Sequence, residues 1–152
     1  MSGPSKIHGN VMSDPIEGGC LCGAIRYRAT GGPIAATLCH CRSCRLAAGA
    51  PSVAWAVFRA EDFAFITGWP KEFSSSNDVV RTFCGTCGTP LTYRRPSKPD
   101  TIDITTATLD TANDFAPAKE IWVEDKLSWE RLNDRIPHYA RSSVGATPVD
   151  SP

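Results

Sequence analysis

Val79-Val80-Arg81-Thr82-Phe83-Cys84-Gly85-Thr86-Cys87-Gly88-Thr89-Pro90-Leu91-Thr92-Tyr93-Arg94 decides how this chain folds. Val79 to Phe83 and Leu91 to Arg94 are rich in β-branched and aromatic residues, so each reads as a short strand. The Cys-x-x-Cys turn between them brings two thiols together. Gly85 and Gly88 let the backbone bend sharply beside those thiols. The same pattern extends outward. Ala24 to Arg28 alternates, Val53 to Phe58 is a denser apolar run, and Phe63 to Thr67, Thr101 to Leu109 and Glu120 to Glu124 are further candidates. Gly, Pro, Asn and Ser separate them. Helical periodicity is missing except at Cys41 to Ala48, which Gly49 is placed to stop. Short strands and turns without alternating long helices predict a mainly β, antiparallel single domain with short helical turns.

The 152 residues are enough for one hydrophobic core. Lys plus Arg and Asp plus Glu are both 16, so the net charge is zero, which argues against holding nucleic acid or a membrane through a global field. No apolar run approaches the ~18 residues of a membrane span, and the N-terminal residues lack an apolar signal-peptide core. Residues 1–13, with Gly3, Pro4 and Gly9, read as a flexible arm in which Met12 is a second candidate start. Residues 14–141 read as the domain, and residues 142–152 as a frayed tail.

The seven cysteines fall into three groups, Cys20-x-Cys22, Cys39-x-Cys41-x-x-Cys44 and Cys84-x-x-Cys87. In extended chain, side chains i and i+2 share a face, so Cys20 and Cys22 point together and so do Cys39 and Cys41, with His40 turned away. Gly23, like Gly85 and Gly88, permits a sharp bend beside its pair. Zinc takes about four ligands in a tetrahedron, with sulfur at about 2.3 Å. Cys20, Cys22, Cys84 and Cys87 make a closed set. Cys39, Cys41 and Cys44 all reach one metal and leave its fourth position open, the usual catalytic arrangement. Alternatives stay open on spacing alone. Disulfides are disfavoured by the about 6.6 Å between i and i+2 Cα atoms in a strand. An iron–sulfur cluster matches no ferredoxin spacing. A single structural zinc beside an empty triad is the serious rival. Without a secretory signal, the expected compartment is a reducing cytoplasm, where clustered cysteines bind metal or do chemistry.

With their neighbours, these groups resemble the glutathione-dependent formaldehyde-activating enzyme family, which also includes centromere protein V. The carrying residues are Gly18 to Tyr27, Cys39-His40-Cys41-Arg42-Ser43-Cys44-Arg45, and Phe83 to Leu91. Weaker matches lie at Ile104 to Leu109, Ile121-Trp122 and Trp129 to Pro137. The resemblance implies a zinc-bearing β fold of the β-tent type. It also implies two zincs per chain, a structural one on four cysteines and a catalytic one on three. The founding activity joins formaldehyde to glutathione.

On this reading the chain is a zinc-dependent carbon–sulfur lyase that binds a small thiol at Cys39, Cys41 and Cys44 and adds an aldehyde to it. A thiol on zinc is deprotonated and becomes a nucleophile at neutral pH. The alternative is a non-catalytic zinc-stabilised binding module or a glutathione carrier. Partners are then a small thiol and an aldehyde, with no nucleic acid and no membrane; a homo-oligomer is left open. From Gly18 to Ala60 there are five arginines (26, 28, 42, 45 and 59) and no acidic residue. Arg42 and Arg45 flank Cys44 and are expected to hold glutathione's carboxylates, or to balance the thiolate charge. His40 is expected in a structural role. Trp55 and Trp69 are expected in core packing rather than in a pocket, and Asp134 in a turn. No general acid stands out in the motifs.

Overall fold

The computed structural model describes residues 14–150, so the expectations for the 1–13 arm and Met12 lie outside the described residues. The chain runs through β1 (Ile16–Gly19), β2 (Arg26–Ala29), β3 (Ala35–Cys39), helix α1 (Arg42–Ala48), β4 (Val53–Arg59) and β5 (Phe63–Thr67). It continues through β6 (Lys71–Ser76), β7 (Val79–Phe83), β8 (Pro90–Arg95), β9 (Lys98–Thr105) and β10 (Lys119–Ile121). Two sheets result, one of order β1-β2-β5 and one of order β10-β3-β4-β9-β8-β7-β6. All pairings are antiparallel except β10 with β3. The mainly β expectation holds. Among the described residues no helix is long and apolar enough to cross a membrane.

The two sheets bury one core between them. Ile25, Tyr27 and Ala29 from the small sheet side meet Ala56, Phe58, Leu91, Ile102 and Ile104 of the large sheet. Each fully buried Phe or Leu removed from water stabilises by roughly 1.5–3 kcal/mol. The Tyr27 hydroxyl is satisfied within this layer, 2.7 Å from Thr108 Oγ1. Side chains alternate across a strand, so the core face of the large sheet leaves a second face outward. Register partners share a face. One row on the outer face therefore runs Phe73, Arg81, Tyr93, Asp103, Val57, Ala35 across six strands. The next rows hold Thr37, Trp55 and Thr105, then Cys39 and Val53.

The edge near β3 is clamped by a buried charge node. Glu120 is wholly buried, and an unpartnered carboxylate there would cost several kcal/mol. Its oxygens lie 2.8 Å from His40 Nε2 and 3.3 Å from His138 Nε2, and the Asn133 N–H donates at 2.7 Å. His40 thus packs into this node with Glu120 on β10. Asp134 sits in an exposed turn beside Asn133. In the segment after Ser142, the Val149 N–H donates to the His138 carbonyl at 2.7 Å.

Candidate metal centres and active site

Cys20 and Cys22 follow β1 in a tight turn, and Cys84 and Cys87 form the knuckle between β7 and β8. Gly23 and Gly88 adopt φ of 79° and 80°, the left-handed region that the two turns require. The four sulfurs converge within 4.8 Å of one another. Cys20 and Cys22 Sγ are 3.6 Å apart, and Cys22 and Cys84 Sγ are 3.8 Å apart. Sulfurs bound tetrahedrally at about 2.3 Å stand about 3.8 Å apart, so this set fits a zinc-sized ion. Backbone N–H groups already point at these sulfurs. Ile25 donates to Cys20 at 3.2 Å, and Thr86 and Cys87 donate to Cys84 at 3.4 and 3.5 Å. Thr89, through its hydroxyl and its backbone, holds the Cys87 thiol down to about 5. The staple joins segments 62 positions apart.

The second cluster is built locally. Cys39 ends β3, Cys41 caps the helix that follows, and Cys44 lies in its first turn. The Cys44 N–H donates to Cys41 Sγ at 3.3 Å, which binds the cap to the ligand geometry. Gly49 closes the helix in the left-handed conformation, as its placement predicts. The three sulfurs lie within 4.8 Å of one another. Hydrogen bonds from Cys39 and Cys44 hold the Cys41 thiol far below its ordinary value, and the same contacts with burial push Cys39 up. All seven cysteines are free thiols, so the disulfide alternative finds no support. Two clusters able to hold a metal are therefore present, one of four donors and one of three.

The three-cysteine cluster opens on a cleft of about 530 Å³ between the outer sheet face, α1 and the segment around Trp122 and Val144. A more apolar cavity of about 660 Å³ adjoins it across Cys44, walled by Leu46, Val53, Trp55, Phe73 and Phe83. Arg42 lines both spaces; Arg45 lines neither, and its Nε is buried without a hydrogen-bond partner. Three other arginines of the basic run are compensated on the chain itself. Arg26 pairs with Asp110, Arg28 lies 2.7 Å from Glu17, and Arg59 lies 3.1 Å from Glu61. Of the acids that neutralise them, Glu17 lies just before the acid-free window, and Glu61 and Asp110 lie after it.

Besides Arg42, the cations of the cleft come from β7, β8 and β9. Arg81 is buried, and its guanidinium nitrogens lie 3.8 and 3.9 Å from Cys44 Sγ. Ser75 Oγ accepts from its Nε at 3.0 Å, and the guanidinium stacks 5.0 Å from the Tyr93 ring centroid. Arg94 and Arg95 also line the cleft but are engaged by Glu72 and Asp78 at 2.9 and 3.1 Å. Among the described residues, no acidic side chain pairs with Arg42 or Lys98 of the cleft wall. Arg81 was legible only as an arginine inside an apolar strand. Trp55 is both buried and cleft-lining, whereas Trp69 is 92% exposed, in neither core nor cleft.

A β protein with a closed and an open cysteine cluster is the class this architecture defines. The profile of the glutathione-dependent formaldehyde-activating enzyme family matches residues 15–125, and the chain belongs to that family. It is 32% identical over 77 residues to an uncharacterized lyase of Schizosaccharomyces pombe, covering 51% of this chain and 56% of that one. The chain thus spans about half the length of the curated relative it matches. A crystal structure of a Rhodobacter sphaeroides protein superposes with a TM-score of 0.53 at 26% identity, covering 62% of this chain and 88% of the other.

Proposed function

We propose that this chain is a zinc-dependent lyase of the carbon–sulfur type. It seats a small thiol, glutathione, at Cys39, Cys41 and Cys44, and adds formaldehyde or another small aldehyde to the sulfur. Its working compartment is a reducing cytoplasm, and its zinc complement is two, with the four-cysteine site structural. The carrying observation is that the three-sulfur cluster forms the wall of a cationic cleft, while the four-sulfur set is complete without a ligand.

A zinc ion held by the three sulfurs would keep the incoming thiol as its thiolate at neutral pH. The chain's own residues do the rest. Arg42 and Lys98 offer unpaired cations to the carboxylates of a tripeptide thiol. Arg81, fixed by Ser75 and Tyr93, offsets the negative charge gathered at Cys44. The cleft brings thiol and aldehyde together, which converts a bimolecular encounter into a positioned one.

Calorimetry on protein purified under reducing conditions tests this reading. Glutathione is expected to bind, and S-methylglutathione, which cannot become a thiolate, to bind at least tenfold more weakly, about 1.4 kcal/mol. Equal affinity for both would sink the sulfur-seated reading and leave a binding module. Binding without faster adduct formation from formaldehyde would leave a carrier.

A further inference from the structure

Among the described residues, β9 brings into the cationic cleft an acidic side chain that makes no ion pair. Asp103 lies on β9, opposite Tyr93 of β8 and Val57 of β4, and lines the cleft with Arg81, Arg95 and Lys98. It is half-buried, yet among the described residues no hydrogen-bond donor or cation reaches its carboxyl. Arg94 and Arg95 are engaged by Glu72 and Asp78. Burial pushes the Asp103 carboxyl up to about 7. The other acid of the cleft wall, Asp125, lies at the far side with Trp122, near an Arg141 that is bonded to Glu124. A desolvated carboxylate without a partner inside a ligand cleft is an unfilled half of an ion pair.

The register places it relative to the sulfurs. Asp103, Tyr93 and Arg81 occupy successive positions in one row across β9, β8 and β7, and strands are about 4.8 Å apart. Asp103 is therefore about 10 Å along the sheet from the arginine that touches Cys44. An extended tripeptide spans about 10 Å. The triad and Asp103 line one cleft, so a thiol of that length seated at the triad has a second, distant group to present within it.

We propose that Asp103 receives the ammonium group of the thiol substrate, so that the site selects thiols that also carry a primary amine. The inference rests on the reading of the cleft as a thiol site. It assigns the two kinds of charge on a zwitterionic peptide thiol to different walls. The carboxylates go to Arg42 and Lys98, and the ammonium to Asp103, in the sheet row of Tyr93 and Arg81. Placing the ammonium beside Arg42, Arg81 or Lys98 would set it against a like charge, which favours this direction of the ligand.

The experiment compares glutathione with N-acetylglutathione, which keeps the thiol and both carboxylates but lacks the ammonium. Both are titrated calorimetrically into the full zinc-loaded chain, wild type, D103N and D103E. Wild type is expected to bind glutathione about tenfold more tightly than the acetylated form, the scale of one partly buried ion pair. D103N is expected to bind the two equally, by losing the tenfold on glutathione alone. D103E is expected to restore part of the preference. Wild type binding both ligands with equal affinity would overturn the assignment while leaving the thiol site intact. D103N weakened equally toward both ligands would also overturn it, since Asp103 would then be supporting the cleft and not reading the amine. If wild type binds neither ligand, the thiol-site reading itself fails and the assignment falls with it.

Discussion

Asp103→Asn should stabilise the protein at alkaline pH and progressively less so toward acid. In the fold the carboxyl rises from 3.8 to about 7, because burial strips water from its charged form and nothing replaces it. A rise of about three units corresponds to about 4 kcal/mol at 1.36 kcal/mol per unit. The side chain still borders the cleft, so roughly 2 kcal/mol is the fairer figure. Above pH 7 the carboxyl is ionised in both folded and unfolded chains, and the folded state carries the whole penalty. Between pH 7 and 3.8 the folded chain holds a proton that the unfolded chain has lost, so this penalty shrinks as pH falls. Below 3.8 both forms are neutral and it vanishes. For a chain of this size roughly 2 kcal/mol corresponds to about 4–8 °C in melting temperature. Thermal melts of wild type and D103N at pH 8.5 and pH 5 read the difference, and metal loss affecting both proteins equally cancels in it. The variant should melt higher at pH 8.5, and the gap should narrow at pH 5. A gap independent of pH, or one that widens in acid, would refute the desolvated carboxyl.

Other consequences separate the two clusters and the cleft's charges. Cys84→Ser or Cys20→Ser should cost several kcal/mol and melt the domain, because that cluster closes contacts 62 positions apart. Cys41→Ser or Cys44→Ser should leave the melt near wild type while abolishing thiol binding. Equal unfolding in both pairs would refute the division of roles. Elemental analysis should find two zincs per chain, and a weak chelator should remove the three-cysteine ion first. Arg42→Ala should weaken glutathione roughly tenfold, whereas Arg45→Ala should change its affinity little, because only Arg42 lines the cleft. Isothermal titrations of the two variants read the contrast directly.

Local chemistry was readable in the sequence because it depends on neighbours a few residues away. Cys39, Cys41 and Cys44 share a site through the two- and three-residue spacings of a strand end and a helix turn. Gly49 stops α1 for reasons contained in its own backbone. Phe63 to Thr67 and Val79 to Phe83 became strands at the expected bounds, since β-branched and aromatic residues suit a pleated, half-buried surface. The strands that composition hid were those whose pairing comes from elsewhere. β1 carries two glycines, β3 is built on alanines, and β6 is a wholly exposed polar edge.

Charge is where linear reading failed and tertiary structure decided. The run of five arginines without an acid looked like a field around Cys44. Folding brought Asp110, Glu17 and Glu61 onto three of them and turned Arg45 away from the cleft. The same pairing drew Arg94 and Arg95 toward Glu72 and Asp78, and set Arg81 against Cys44 from a strand 37 positions distant. Asp103 belongs to this group: within Thr101 to Leu109 it is only a polar residue in a strand, and its unpartnered state follows from which cations its neighbours kept. The sequence by itself determined the cysteine clusters, since the spacing of each group is a property of short stretches of chain. Which charges face the three-cysteine cluster was left to the fold, because electrostatic partnership depends on distances that only sheet register sets.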